Sequence, residues 1–366
     1  MVKICYNAIM KNESKIVKRC LNSLKDIVDY VCICDTGSTD NTVALIEEWG
    51  KETGIPTKVY YGDEYKFKNF GFNRTQAYKM CRKAFPDADY VLLADADMKL
   101  VIEKSWNKEE LKADGYLLIQ KAGELEYWNM RILSTKLDWK CYLRTHEYWS
   151  APNCKTSKLN TLWFDDKNDG GSKSDKYTRD ERLLKEELDD PSADAGAKQR
   201  ALFYLAQTYK CMGRYLDSIK YYKKRIEAGG WAEEVYYSYY SIGLCYKDLK
   251  RYNKAIQYFL KGYEYRSTRS ECIYEIAKIY REQGNNNSAM IFINLGVTIA
   301  YPTEDSLFIN KDVYDYLFYY EMSICAYYTK DKPKGAVAVK LLLKKDLPKD
   351  MLEMVKSNAK FYGMQI

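Results

Sequence analysis

Apolar and polar positions follow two rhythms along this chain. As far as about residue 141, short apolar runs alternate with amphipathic stretches. Residues 2–7, 29–34, 57–61 and 90–94 read as strands. Helices are expected between them over about 14–24, with Ser14 as N-cap, over about 41–49, ended by Gly50, and over about 71–85. Residues 116–120 and 128–133 are further strand segments. Strands and helices in strict alternation predict a mainly parallel sheet with helices on both faces.

After Asp175 the rhythm becomes purely helical and repeats. The segments ending at Tyr209-Lys210, Tyr246-Lys247 and Tyr280-Arg281 are each followed by a short polar turn, then by a small residue at one offset: Ser218, Ala255 and Ala289. Tyr209, Tyr246 and Tyr280 are 37 and then 34 residues apart. A helix–turn–helix unit of this length, with small residues where helices cross, resembles the tetratricopeptide repeat. Ser323 and Ala326, followed by Gly335-Ala336, read as a degenerate fourth copy. The helical part holds many of the 36 tyrosines, read mainly as interhelix packing and in part as the lining of a concave surface. The polar stretch 165–175 lies between the two textures as a linker. The domains expected are 1–175 and 176–366.

Composition narrows the class. The 58 basic and 51 acidic side chains are interleaved and leave a net charge of +7, so no basic face marks a nucleic-acid binder. No apolar run reaches the roughly 20 residues of a membrane helix. The 11 cysteines show no zinc-finger spacing, and no secretory signal precedes the first strand. The expectation is a reduced, cytoplasmic protein. Its Lys-, Asn-, Ile- and Tyr-rich composition fits an AT-rich microbial or viral genome.

The chemistry gathers at strand ends. The run 90–94 leads into Asp95-Ala96-Asp97, just past the end of a strand, where open α/β sheets bind ligands. Paired carboxylates there suit Mg²⁺ or Mn²⁺ bridging to a phosphate ester. Asp35, in Asp-Thr-Gly-Ser-Thr-Asp, ends the second strand and has the place of an acidic residue that binds sugar hydroxyls or a base edge. His146 is the single histidine and precedes Glu147.

Tyr-Asn-Ala-Ile-Met-Lys-Asn-Glu at 6–13, Asp-Thr-Gly-Ser-Thr-Asp-Asn-Thr at 35–42 and Ala-Asp-Ala-Asp at 94–97 together resemble the family 2 glycosyltransferases of GT-A fold. A subgroup of that family carries tetratricopeptide repeats after the catalytic domain, and the layout is similar to that of sublancin-type peptide glycosyltransferases. The resemblance implies an α/β GT-A domain with a Rossmann-like mixed sheet, followed by an all-α repeat domain. It implies inverting, metal-dependent transfer of a sugar from a nucleotide-sugar, with UDP favoured. Asn12, Glu13 and Asp35 then hold the nucleoside, Asp95 lies near the ribose or metal, and Asp97 is on the metal. Arg74 reaches the nucleotide from an Asn73-Arg74 pair whose order is the reverse of the family's. The His-Glu match makes His146 a metal ligand and Glu147 the first choice of base, with Asp165 and Asp166 as rivals. Lys173, Lys176 and Arg179 follow Gly170-Gly171 and are placed to close over the diphosphate. Trp128, Trp139 and Trp149 fall where an acceptor sits. The repeats present or select a peptide, protein or glycan acceptor, or make a homodimer. The alternatives are an inactive scaffold of the same layout that binds a protein partner, and a nucleotidyltransferase, which no Gly-rich triphosphate loop supports.

Overall fold

The computed structural model describes residues 1–123, 125–170 and 175–365. Ten strands follow in chain order: β1 (Ile4–Met10), β2 (Tyr30–Asp35), β3 (Thr57–Tyr60), β4 (Tyr90–Leu93), β5 (Met98–Ile102), β6 (Gly115–Ala122), β7 (Leu125–Ser134), β8 (Lys140–Tyr142), β9 (Tyr148–Ser150) and β10 (Thr156–Asp166). Four helices accompany them: α1 (Val17–Leu24), α2 (Thr42–Thr53), α3 (Phe70–Ala84) and α4 (Lys176–Asp189). Eight strands form one sheet in the order β3-β2-β1-β4-β7-β6-β10-β5, and β8 and β9 form a separate hairpin. The first four are mutually parallel, so Met10, Asp35 and Leu93 end at one edge. The direction changes at β7, which runs antiparallel to both β4 and β6. This mixed sheet agrees with the α/β class expected from the sequence.

The sheet buries both faces because its central strands are apolar on both sides. Val17, Cys20, Leu21 and Leu24 of α1 share one core with Leu92, Leu100, Leu118 and Phe164. On the other face, Tyr78 and Cys81 of α3 pack with Cys5, Cys32 and Val91. All 11 cysteines are free thiols.

Two helix boundaries differ from the sequence pattern. Ser14 does not cap α1. The chain first turns at Glu13, whose carbonyl accepts from the amides of Ile16 and Val17, and the helix starts three residues after Ser14. Gly50 does not end α2 either. It lies inside the helix, where a Cβ would stand 2.5 Å from Thr57 Oγ1 on β3, and the helix closes at Gly54 with φ 72°. Strands β5, β8, β9 and β10 escaped the pattern. The first residues of β10, Thr-Ser-Lys-Leu-Asn-Thr, are mostly exposed and polar, and its register slips between Leu159 and Trp163. The stretch expected to open a linker, Asp165-Asp166, is the end of this strand.

Tyr116 pairs with Ile132, but Leu117 pairs with Met130, which leaves Arg131 as an extra residue on β7. Such a bulge re-aims a side chain.

The chain divides into two compact units, Met1–Asp189 and Asp190–Ile366. Helix α4, grouped with the repeats in the sequence reading, belongs to the first. Its Glu187 accepts from the Arg144 amide at 3.0 Å, and its Asp180 accepts from Thr145 Oγ1 at 3.3 Å.

The second unit is a stack of helix pairs: α5 (Ala195–Cys211) with α6 (Tyr215–Glu227), α7 (Ala232–Asp248) with α8 (Tyr252–Tyr265), and α9 (Glu271–Glu282) with α10 (Asn286–Gly296). The fourth copy is present as α11 (Phe318–Cys325) and α12 (Lys332–Leu342), followed by α13 (Lys349–Phe361). The three clear repeats turn alike. Carbonyls of Tyr209, Tyr246 and Tyr280 accept from the amides of Arg214, Arg251 and Asn285 at 2.9, 2.8 and 2.8 Å. Gly213, Lys250 and Gly284 supply the left-handed residue. Ser218, Ala255 and Ala289 are fully buried, as expected for close helix crossings. Tyr209, Tyr222 and Tyr236 are core residues.

Candidate functional site

The parallel strand ends present two loops that knit together. Asn12 follows β1 in a left-handed conformation, φ 58°, with its amide on Ser38 Oγ at 2.8 Å. Its Oδ1 accepts from the Thr39 amide at 2.7 Å, and the Glu13 amide donates to Thr42 Oγ1 at 2.8 Å. Asp35 is 3% exposed, and its own turn fills its carboxylate. Oδ1 accepts from the amides of Gly37 and Ser38, at 3.0 and 2.8 Å, and Oδ2 from the Ser38 hydroxyl. Asp35 thus shapes the loop that ends β2.

Arg74 comes off α3 beside a structural asparagine. Asn73 is buried and ties the helix start through four bonds, to the amides of Lys68 and Asn69 and the carbonyls of Tyr65 and Lys66. Arg74 itself is not a solvated helix arginine. Its Nε donates to Glu147 Oε1 at 2.7 Å and its Nη2 to Asp95 Oδ1 at 2.7 Å. Asp95 also faces Arg131, whose Nη1 is 3.7 Å from Oδ2. Burial raises the Asp95 carboxyl, but Arg74 and Arg131 outweigh it and hold the group below its ordinary value. The guanidinium of Arg74 is lowered by desolvation and raised more strongly by Asp95 and Glu147.

Arg131 continues the chain of contacts. Its Nη2 donates to Gln120 Oε1 at 2.5 Å, and Gln120 Nε2 donates to Asp166 Oδ2 at 2.8 Å. Asp166 Oδ1 accepts from the Asn168 amide at 2.9 Å. Asp165, one residue earlier, pairs instead with Lys167 at 2.5 Å. Asp166 stands opposite Met98 in the β10–β5 ladder, and both Asp166 and Asp97 lie close enough to Tyr127 to raise its phenol.

Asp97 sits under the segment that leaves β10. The Lys167 amide donates to its carbonyl at 3.1 Å. A Cβ on Gly170 would lie 3.2 Å from Asp97 Oδ2 and 3.4 Å from Glu13 Oε1, so both carboxylates border one small space. Arg19 of α1 donates to Asp97 O at 3.4 Å and to both oxygens of Asp169 at 2.7 and 2.6 Å.

Asp95, Asp97 and His146 were expected as metal ligands. Asp95 faces guanidinium groups, and among the described residues no three His, Cys, Asp or Glu side chains converge as a metal cluster. His146 lies in the loop before β9 with φ 53°, between Thr145, which bonds Asp180, and Glu147, which bonds Arg74. Arg179 is drawn toward the site. It stands over the Phe70 ring at 5.0 Å, with Arg74 at 6.0 Å from the same ring. Lys176, at the start of α4, is exposed, and Lys173 lies outside the described residues. Trp139 is a core residue, 2% exposed, with its Nε1 on Ser134 O, and Trp149 packs edge-on against Tyr78. Trp128 is half-buried beneath Lys158.

Sequence reasoning missed Arg19, Gln120 and Arg131. Two of the three carried a signal. Gln120 ends the apolar run 116–119 as Asp95 ends 90–94, and Arg131 interrupts the apolar stretch 130–133. The position of Arg19 on α1 gave none.

Residues 8–104 match the family model described as glycosyl transferase family 2, and residues 236–268 match that of a tetratricopeptide repeat. An uncharacterised glycosyltransferase of Rickettsia conorii is 37% identical over 98 residues, which is 27% of this chain and 30% of that protein. A TPR repeat-containing protein of Synechococcus elongatus is 32% identical over 114 residues, 31% of this chain and 25% of that one. The matches thus span about a quarter to a third of the relatives' own length. The crystal structure of S. aureus TarS aligns with 69% of this chain and 55% of its own at 17% identity, with a TM-score of 0.39. Among the described residues no helix is long and apolar enough to cross a membrane. The chain therefore carries a glycosyl transferase family 2 domain in its amino-terminal unit and a tetratricopeptide repeat in its helical unit.

Proposed function

We propose that the protein transfers a sugar from a nucleotide-sugar, with UDP favoured, to a peptide, protein or glycan acceptor, with inversion at the anomeric carbon. The observation that carries this reading is Asp166, a carboxylate that shares the surroundings of Tyr127 with Asp97 and is held by an amide side chain and a backbone amide. A base must be free to take a proton. Glu147, the first choice from sequence, is held by Arg74 at 2.7 Å, and Asp165 by Lys167 at 2.5 Å. Asp166 therefore takes the proton of the acceptor nucleophile as that atom bonds to the anomeric carbon. The bond from that carbon to the diphosphate oxygen breaks, and the electron pair leaves with the diphosphate.

The donor set near Gly170 fits a hard divalent cation. Mg²⁺ and Mn²⁺ take carboxylate oxygens and fill their remaining positions with phosphate oxygens and water. Asp97 and Glu13 would hold the ion, which supplies charge neutralisation for the departing diphosphate. Arg19 and Arg179 are the nearby cations suited to the same charge. Arg74 holds Asp95 and Glu147 in place. Asn12 and Asp35 set the loop shape against which the nucleoside rests. The repeat unit selects the acceptor or joins two copies of the chain.

The test is release of nucleoside diphosphate from a panel of UDP-, GDP- and TDP-sugars, with Mn²⁺ or EDTA. The reading expects slow, EDTA-sensitive release from one donor, lost in Asp97→Ala and in Asp166→Asn. Release untouched by both substitutions would overturn it.

A further inference from the structure

Six side chains form one continuous polar chain across the sheet edge: Glu147, Arg74, Asp95, Arg131, Gln120 and Asp166. Successive contacts are 2.7, 2.7, 3.7, 2.5 and 2.8 Å. The signs alternate as far as Arg131, and a neutral amide then joins Arg131 to Asp166.

That amide has only one workable orientation. A guanidinium has only donors, and an ionised carboxylate has only acceptors. Gln120 must therefore turn Oε1 to Arg131 and Nε2 to Asp166. An apolar residue could not link the two, and a carboxylate at 120 would face Asp166 with like charge. Gln120 is 3% exposed and Arg131 is 7% exposed, so solvent does not stand in for either contact.

Arg131 is expensive as a packing residue. Its neighbours include the Phe164 ring at 5.9 Å, and its Nε is buried with no hydrogen-bond partner among the described residues. Burying a guanidinium costs free energy unless it is paired, and an apolar side chain of similar size usually does as well for stability. The bulge on β7 points the same way. Bulges gather beside active sites, and this one inserts Arg131 and no other residue.

We propose that Gln120 and Arg131 are positioning residues. Arg131 fixes the Gln120 amide, Gln120 aims the Asp166 carboxylate, and Asp95 with Arg74 anchors the far end, so one network aligns the donor side and the base. The inference rests on the sugar-transfer reading above. Neither residue touches the reacting atoms.

A double-mutant cycle on the full chain tests it, with nucleoside diphosphate release from the sugar donor that the wild type hydrolyses fastest. Turnover and donor KM are measured for Gln120→Leu, Asp166→Asn and the double variant. Gln120→Leu is expected to cut turnover by about 10- to 100-fold, part of the usual contribution of an aligned base, while donor KM stays within about twofold. In the Asp166→Asn background the same change should cost nothing more, because the group it aims is already gone. Arg131→Lys, which keeps the charge but not the fork, should lose turnover in the same way. Losses that add in the double variant, or a Gln120→Leu enzyme with wild-type turnover, would overturn the inference. Unchanged turnover in Asp166→Asn alone would instead overturn the assignment of the base, and the two failures are thereby told apart.

Discussion

Arg19 grips both carboxylate oxygens of Asp169, and the same guanidinium reaches the carbonyl of Asp97. An acidic side chain of the protein thus occupies a cation beside the proposed diphosphate position. The pair is about one-third to one-half exposed, so solvent screens it and its contribution to stability is below about 1 kcal/mol. Asp169→Asn should therefore leave the melting temperature nearly unchanged. It should tighten UDP binding a few-fold by freeing Arg19. Calorimetric titration with UDP checks this, and weaker binding by the variant would show that Asp169 helps rather than competes.

Gly71 is the tightest approach under the loop that carries Glu147. A Cβ there would meet the carbonyl oxygens of Leu143 and Cys141 at 2.3 and 2.9 Å. Alanine would gain about 1 kcal/mol in helix propensity. Two backbone carbonyls cannot move aside as a side chain could, so Gly71→Ala is expected to destabilise by roughly 1–3 kcal/mol net. It should also pull Glu147 from Arg74. A urea midpoint equal to that of the wild type would contradict this.

The acid side of the stability profile follows from Asp40 and Asp95. Burial raises the Asp40 carboxyl, but bonds from Ser14 and Thr42 bring it down to about 2 from an ordinary 3.8. Asp95 is also held low by its two arginines. A carboxyl lowered by folding stabilises the fold fully above its unfolded value and loses that contribution as the pH falls through its folded value. Thermal midpoints should hold steady from neutrality to about pH 4 and then fall steadily toward about pH 2. Asp95→Asn should flatten part of that fall. A profile of the same steepness in the variant would remove Asp95 from the account.

Lys250 occupies the turn position that Gly213 and Gly284 hold in the neighbouring repeats, with φ 57° against 72° and 76°. A side chain in the left-handed region costs about 1–2 kcal/mol, and glycine gives back part of the gain as chain entropy. Lys250→Gly should stabilise the protein by up to about 1 kcal/mol. A lower melting temperature for the variant would mean that the lysine side chain makes up the difference.

The strand-end part of the candidate site was legible because its residues stand at the ends of apolar strands, where a charged residue breaks the pattern. Asp35 and the Asp95–Asp97 pair announce themselves this way. The repeats were legible from Tyr209, Tyr246 and Tyr280, whose spacing survives the variation around them. What the sequence hid lies in pairings. The partner of Arg74 depends on a hairpin more than sixty residues away, and Glu147 looks as free as Asp166 until the ion pair with Arg74 is seen. The polar start of β10 lacks alternation, so Asp166 read as part of a loop. The expected metal ligands meet the same limit. Adjacent signals at 95, 97 and 146 say nothing about which carboxylate already has an arginine.

The bulge on β7 has one more consequence, for heredity. Remove Arg131 and the pairs Tyr116–Ile132 and Leu117–Met130 become consecutive, with side chains alternating as a regular ladder requires. Most single-residue deletions in a strand throw the rest of it onto the wrong face. This one would mend the ladder while cutting the chain of contacts between Asp95 and Gln120. The loss of one codon is thus a route from a working site to a well-folded, silent one, and the length of β7 between Met130 and Ile132 is the trait to compare among descendants of this gene.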